Sequence, residues 1–228
     1  EGFKHCEFID KHGIQTHFFT DTNYPRRLRQ CADAPLLLYS KGQFDPNPSR
    51  SIAIVGTRSA SDYGRILCEE LITHFEGTNI QVISGMAYGI DIIAHQACVR
   101  NQIETLGVLG HGLDRIYPSN HRSTAEKMLE NGGLLTEFLP GTKPDRENFP
   151  MRNRIVAGMI DATVVVESKI TGGSLITADL ALDYNRDVFA YPGNVGVSTS
   201  EGCNFLIRSN KAQMITCAAD LLKEMSWV

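Results

Sequence analysis

Between residues 52 and 109 the chain alternates, at short and regular intervals, between apolar β-branched runs and segments of helical spacing. No other feature of the sequence limits the fold as much. Residues 52–55, 80–84 and 105–109 read as strands, and 63–75 and 90–100 as the helices between them. Runs this short and apolar throughout suit strands covered on both faces, and strand–helix–strand repeats share one sheet only when the strands are parallel. The pattern predicts an α/β fold: an open, doubly wound, mostly parallel sheet with helices on both faces.

The second half continues the alternation with longer connections. A helix near 121–131 precedes a strand at 134–137, a polar loop and a helix opened by Pro150 in its first turn. Residues 162–166 are the most β-branched stretch and are expected inside the sheet, followed by a helix at 174–184 and a strand at 188–191. The tail, 204–227, reads as two helices around a short strand at 213–216. In the first fifty residues, 14–19 and 36–39 read as strands separated by a loop and short helix at 21–29. The expected organisation is a lead-in, residues 1–50, packed on a core formed by residues 51–228.

Composition narrows the function classes. With 228 residues, 42% hydrophobic and 21% charged, the chain can bury a substantial core. A formal net charge of -4 argues against a uniformly basic protein that coats nucleic acid and leaves room for a local basic groove. The six cysteines form no CxxC pair, which predicts reduced, buried thiols in a cytoplasmic protein. The seven histidines form no HExxH or HxxxH pair, so no metal is expected. No run has transmembrane length, and no charged-then-apolar signal opens the chain, so no membrane association is expected. A sequence that opens on Glu1 is expected to be part of something longer.

Four loops after expected strands carry the unusual residues. Gly56, Thr57 and Arg58 follow the first strand of the repeat and lead into a helix, a geometry that offers backbone amides and one fixed charge to an anion. Alone, this is equally a tight turn with a solvated arginine. Ser84-Gly85-Met86-Ala87-Tyr88-Gly89-Ile90-Asp91 permits close backbone approach but is not GxGxxG, and no acidic residue ends the next strand as a ribose ligand would. No cofactor is therefore expected, and Asp91 reads as a charge complementing the helix dipole. The stretch from Lys143 to Arg154 holds Arg146, Phe149, Arg152, Asn153 and Arg154, an aromatic among cations that suits a nucleic-acid backbone with one stacked base. For this loop taken alone, a solvated segment with Phe149 pinned to the core as a staple for the next helix is the favoured reading. Lys169, Gly172, Gly173 and Ser174 form a glycine turn into a helix, fit for a phosphate or for a plain cap. All four loops fall at the carboxyl edge of the sheet, where open α/β folds bind ligands, and together they make a phosphate-bearing ligand the leading expectation.

The sequence resembles the Rossmann-fold core of the bacterial DNA-processing protein A (DprA, also called Smf) family. The resemblance runs from Tyr24 to the C-terminus. Its markers are Tyr24-Pro25, IAIVGTR ending at Arg58, SGMAYGID ending at Asp91, Tyr117-Pro118, FPMRNRIVAG beginning at Phe149, GGSLITA beginning at Gly172, Pro192-Gly193 and GCNFLI beginning at Gly202. It implies a protein that is not an enzyme, binds single-stranded DNA, protects incoming DNA and helps load the RecA recombinase during natural transformation. It also implies a homodimer. Residue by residue, Arg58 would contact the DNA backbone, Phe149 would pack on a base, and Arg146 would stand where a relative has a DNA-contacting lysine. Arg152 and Arg154 would be the arginines at the helix start, one of them a structural ion-pair partner, and Gly172, Gly173 and Ser174 the turn near the phosphates. The small helical module before the core and the winged-helix-like module after it, present in many relatives, are not recognisable here.

The rival reading is a nucleotide-binding or phosphoribohydrolase-like enzyme of the same broad fold, one that releases a base from a nucleoside monophosphate. Its PGGxGTxEE motif reads GGSLITAD here, so the second glycine and first acid are missing and Asp179 is the one remnant. General acid–base chemistry needs a positioned carboxylate.

Overall fold

A computed structural model describes residues 2–227. The first part of the chain forms α1 (Gly2–Lys11), β1 (Gln15–Phe18), α2 (Arg26–Arg29), β2 (Leu37–Gln43) and β3 (Arg50–Val55). Then come α3 (Asp62–Thr73), β4 (Ile80–Ser84), α4 (Ile90–Arg100), β5 (Thr105–Val108), α5 (Arg122–Met128) and β6 (Gly132–Thr136). The remainder is α6 (Asn148–Gly158), β7 (Ala162–Val165), α7 (Gly173–Asp183), β8 (Asp187–Ala190), α8 (Glu201–Arg208), β9 (Gln213–Met214) and α9 (Ala218–Glu224).

The strands form a 9-stranded sheet in the order β1-β2-β6-β5-β4-β3-β7-β8-β9. Only β1–β2 and β2–β6 pair antiparallel; β6 through β9 run parallel, as the strand–helix repeats require. Side chains of β3 alternate between two cores, Ala53 and Val55 on one face, Ile52 and Ile54 on the other. The first face is covered by α6, α7 and α8, the second by α3, α4 and α9. Each fully buried Ile or Leu in these layers contributes about 1.5–3 kcal/mol relative to exposure.

The first fifty residues supply two strands of this same sheet. Their short helix is tied to the parallel core by Arg27, whose Nε and Nη2 donate to Asp161 at 2.6 and 2.9 Å. The Asp161 carboxylate also accepts the Ser51 backbone N–H at 2.9 Å, so one acid joins α2 to the starts of β3 and β7.

Several elements differ from the sequence reading. The N-terminal helix α1 has no counterpart in the sequence reading. β2 runs on through Lys41, Gly42 and Gln43 because its pairing with β6 continues past the apolar residues. The helix expected near 121–131 is a 3₁₀ turn, Ser119–His121, followed by the shorter α5, and the next strand starts earlier, at Gly132. All six cysteines are free, but Cys6 and Cys217 are exposed, against the expectation of buried thiols; both lie on outer faces of terminal segments. No described helix is long and apolar enough to cross a membrane.

Candidate functional site

The order of the strands reverses at β3. From it the chain builds outward through β4, β5 and β6, and β7 then returns to its other flank. To make that return, α6 crosses the sheet face, which brings its first turns over the carboxyl ends of β3 and β4. The loops leaving β3 and β7 diverge there, and a pocket of about 230 Å³ lies between them.

The pocket is lined by Gly56, Thr57 and Arg58 after β3, Gly85, Ala87 and Asp91 after β4, Phe149, Arg152 and Asn153 on α6, and Lys169, Gly172, Gly173 and Ser174 before and in α7. Of the site residues singled out from the sequence, only Arg146 and Arg154 do not line it. Arg146 is exposed on the connection that leads into α6. Arg154 donates to the Asp33 carbonyl and to the Glu137 carboxylate, forming a half-buried ion pair on another side of the helix.

The loop after β3 is held from both sides. Thr57 donates its N–H to the Glu167 carbonyl at 2.6 Å, and its own carbonyl accepts the Ile90 N–H at 3.1 Å. The second contact depends on Gly89, at φ +76°, where a Cβ would stand 2.1 Å from the Thr57 carbonyl oxygen. Glu167 is 3% exposed, and its carboxylate accepts the Ser61 N–H at 2.9 Å and the Ser61 hydroxyl at 2.8 Å. Ser61 in turn caps α3 by accepting the Gly64 N–H. Arg58 thus projects from a backbone fixed at both ends, itself exposed, with its guanidinium carbon 5.8 Å from the Phe149 ring centroid.

Arg152 plays a different part. It is 5% exposed and donates through Nη1 to the carbonyls of Gly85 and Val108, bracing the ends of β4 and β5 against α6. Burial pushes its guanidinium down to about 10, against the raising effect of Asp91, so it stays charged at neutral pH. Burial pushes the Asp91 carboxyl above the usual carboxylate range, and Arg152 pulls it back. Asp91 also accepts the Ala87 N–H at 3.3 Å, fixing the glycine turn. Asp91 does stand in the first turn of α4, as the dipole reading has it, but that reading did not include its burial. The signal was present: Ile92, Ile93 and Ala94 follow it, and a helix apolar on nearly every side leaves no wet face for an acid.

The start of α7 completes the pocket. Gly172 stands at its N-cap with no side-chain cap; the Leu175 N–H is taken by the Gly172 carbonyl at 3.1 Å, which leaves the Gly173 and Ser174 N–H groups at the start of an 11-residue helix for the cavity that those residues line. The Ser174 hydroxyl is taken by Ser168 Oγ at 2.7 Å, which makes it a clamp on the turn. Among titratable lining groups, Arg58, Arg152 and Lys169 stand against Asp91 alone, a positive pocket in a chain of net charge -4. Asp179, the acid left over from the nucleotide-hydrolase motif, does not line it; it is half-exposed and paired with Lys211 at 2.8 Å.

Known proteins are similar to this chain in sequence and in fold. The model of the family described as DNA recombination-mediator protein A matches residues 15–226. Protein Smf of Synechocystis is 38% identical over 226 residues, which cover 96% of this chain and 56% of that protein, so the chain spans little more than half of that relative. The X-ray structure of DNA processing protein A from Streptococcus pneumoniae superposes with a TM-score of 0.87 at 35% identity, covering 96% of this chain and 77% of that one. A Helicobacter pylori DNA processing protein A, solved for insight into its single-stranded DNA binding mode, superposes with a TM-score of 0.84 at 26% identity, covering 93% and 95%. The family match begins at the first residue of β1 and ends beyond α9. The chain belongs to the DNA recombination-mediator protein A family.

Proposed function

We propose that the switch-point pocket binds single-stranded DNA, with phosphates at Arg58 and at the uncapped start of α7 and a base against Phe149. The observation that carries this is the convergence, from four separated segments, of a free arginine, an aromatic ring and an open helix N-terminus on one positive pocket of a negatively charged protein. The H. pylori relative's described binding mode supports the same ligand class. Arg146, on the exposed approach to α6, extends the positive path for a strand that leaves the pocket.

Fluorescence anisotropy with a labelled poly-dT oligonucleotide tests this. Binding should be largely independent of sequence and weaken steeply with salt. Equal affinities for the wild type and the Arg58→Ala, Phe149→Ala double variant would remove the site. On family membership we further propose that a homodimer protects incoming DNA during transformation and assists RecA loading; a RecA strand-coating assay and sedimentation measurements test these separately.

Asp91 gives a second reading a physical basis, because it puts one carboxylate with a raised pKa on the wall of a phosphate-sized pocket. Under that reading the protein would release adenine from AMP, and Asp91→Asn would abolish the release. The ties of Asp91 to Arg152 and Ala87 favour the DNA reading, in which it holds the turn.

A further inference from the structure

A second, smaller cleft of about 60 Å³ adjoins the first and shares Arg58, Phe149 and Arg152 with it. Its outer walls are Tyr88, from the glycine turn after β4, and Tyr117, from the connection before α5. These residues are 47% and 48% exposed. Two large aromatic side chains from different loops thus stand half in water and converge beside the exposed Arg58.

Phe149 is the less accessible ring of the three. It is only partly exposed, Arg58 lies over it, and a Cβ at Gly110 would stand 3.1 Å from its Cδ1. Tyr88 is braced edge-on by the buried His121, at 4.9 Å and 76°, which fixes its plane. Tyr117 lies 6.1 Å from Phe149, centroid to centroid, at 34°.

We propose that Tyr88 and Tyr117 form a second base platform, so that the groove stacks at least one more unpaired base beyond the one at Phe149. This rests on the single-stranded DNA reading of the pocket. Bases follow one another at about 3.4 Å, so a base held between two rings needs about 7 Å. The 6.1 Å between Tyr117 and Phe149 is too narrow for that, and the cleft is too small to take a base whole. The second base therefore rests on the exposed ring faces at the mouth of the cleft. Its phosphate falls beside Arg58, the cation that both clefts share.

The test uses dT oligonucleotides carrying a single 5-iodouracil, photo-cross-linked to the wild-type protein and mapped by mass spectrometry. It is paired with anisotropy titrations of unmodified dT oligomers. Adducts on Tyr88 or Tyr117, a roughly ten-fold loss of affinity in the Tyr88→Leu, Tyr117→Leu double variant, and retention in Tyr117→Phe are the results expected. Cross-links confined to Phe149, or on neither tyrosine, together with unchanged affinity in the double variant, overturn the platform while leaving the pocket reading intact. Failure of the wild type to bind dT at all overturns both. The cross-link is read on the unmutated protein, so the result does not depend on the variants folding.

Discussion

Replacing Arg152 by methionine separates two roles that a buried arginine in a binding pocket can have. Methionine keeps most of the volume of the side chain and removes the charge and every donor. The Gly85 and Val108 carbonyls then lose their shared partner, and the buried Asp91 loses the cation that offsets its burial. Leaving a buried acceptor without its donor costs about 1–3 kcal/mol, so the two carbonyls, with the uncompensated Asp91 beside them, cost about 3 kcal/mol or more, a large share of the 5–15 kcal/mol by which a domain is stable. With a urea slope of about 1–3 kcal/mol/M, the unfolding midpoint should fall by at least about 1 M at neutral pH. The deficit should also depend on pH with a definite sign. A carboxyl whose native pKa lies above its unfolded value, near 3.8, contributes most to stability below that value and loses the contribution as pH rises through the native pKa. In Arg152→Met the opposing arginine is gone, so the native value of Asp91 climbs further. The deficit should be smaller at pH 5 than at pH 7.5. Urea melts of both proteins at the two pH values make the measurement. An unchanged midpoint with a ten-fold weaker DNA affinity would refute the strut and make Arg152 a ligand contact; a deficit equal at both pH values would show that Asp91 is not the group left unpaired.

The other expectations concern the pocket itself. Arg58→Ala should weaken dT binding and reduce the slope of log affinity against log salt by about 0.7, the single-strand increment per neutralised phosphate, whereas Phe149→Leu should weaken binding and leave that slope unchanged. Gly89→Ala meets the Thr57 carbonyl at 2.1 Å on a positive-φ backbone, so it should destabilise by more than about 1 kcal/mol in thermal melts and reduce DNA affinity by moving Arg58. Glu167→Gln keeps the size but can no longer accept from both Ser61 donors with full charge; a loss of about 1–3 kcal/mol is expected in urea melts, together with weaker binding as the loop holding Arg58 loosens.

The central fold was legible because its signal is local. β4 and α4 fall where the sequence puts them, at 80–84 and 90–100, since the strand is buried on both faces and the helix, apolar on nearly every side, is buried with it. The edges were less legible. β2 pairs with β6 through Lys41, Gly42 and Gln43, where backbone hydrogen bonds continue after apolar burial has ended, and periodicity reads only burial. The exposure of Cys6 and Cys217 has the same origin: both sit in terminal segments whose outward face depends on what they pack against.

Within the site, residue types were readable and their division of labour was not. Arg152 and Arg154 look alike in the sequence, yet two positions along an α-helix turn a side chain by about 200°, so the pair cannot both face one groove. That argument was available from spacing alone, and the structure supplies its direction: Arg152 toward the pocket and the ends of β4 and β5, Arg154 toward Glu137 and Asp33. Glu167 was invisible for a different reason. A glutamate just past a strand reads as a polar boundary, and only the close packing of the turn shows that its carboxylate is spent on Ser61 inside the protein. The consequence reaches the ligand. With Arg152 braced, Arg154 paired and Ser174 clamped, Arg58 and Lys169 are the pocket cations left exposed, and they stand on opposite lips of the crevice. Under the proposed reading, charges on two separate loops, with the bare start of α7 beside Lys169, are arranged to follow successive phosphates of a strand rather than to close around one.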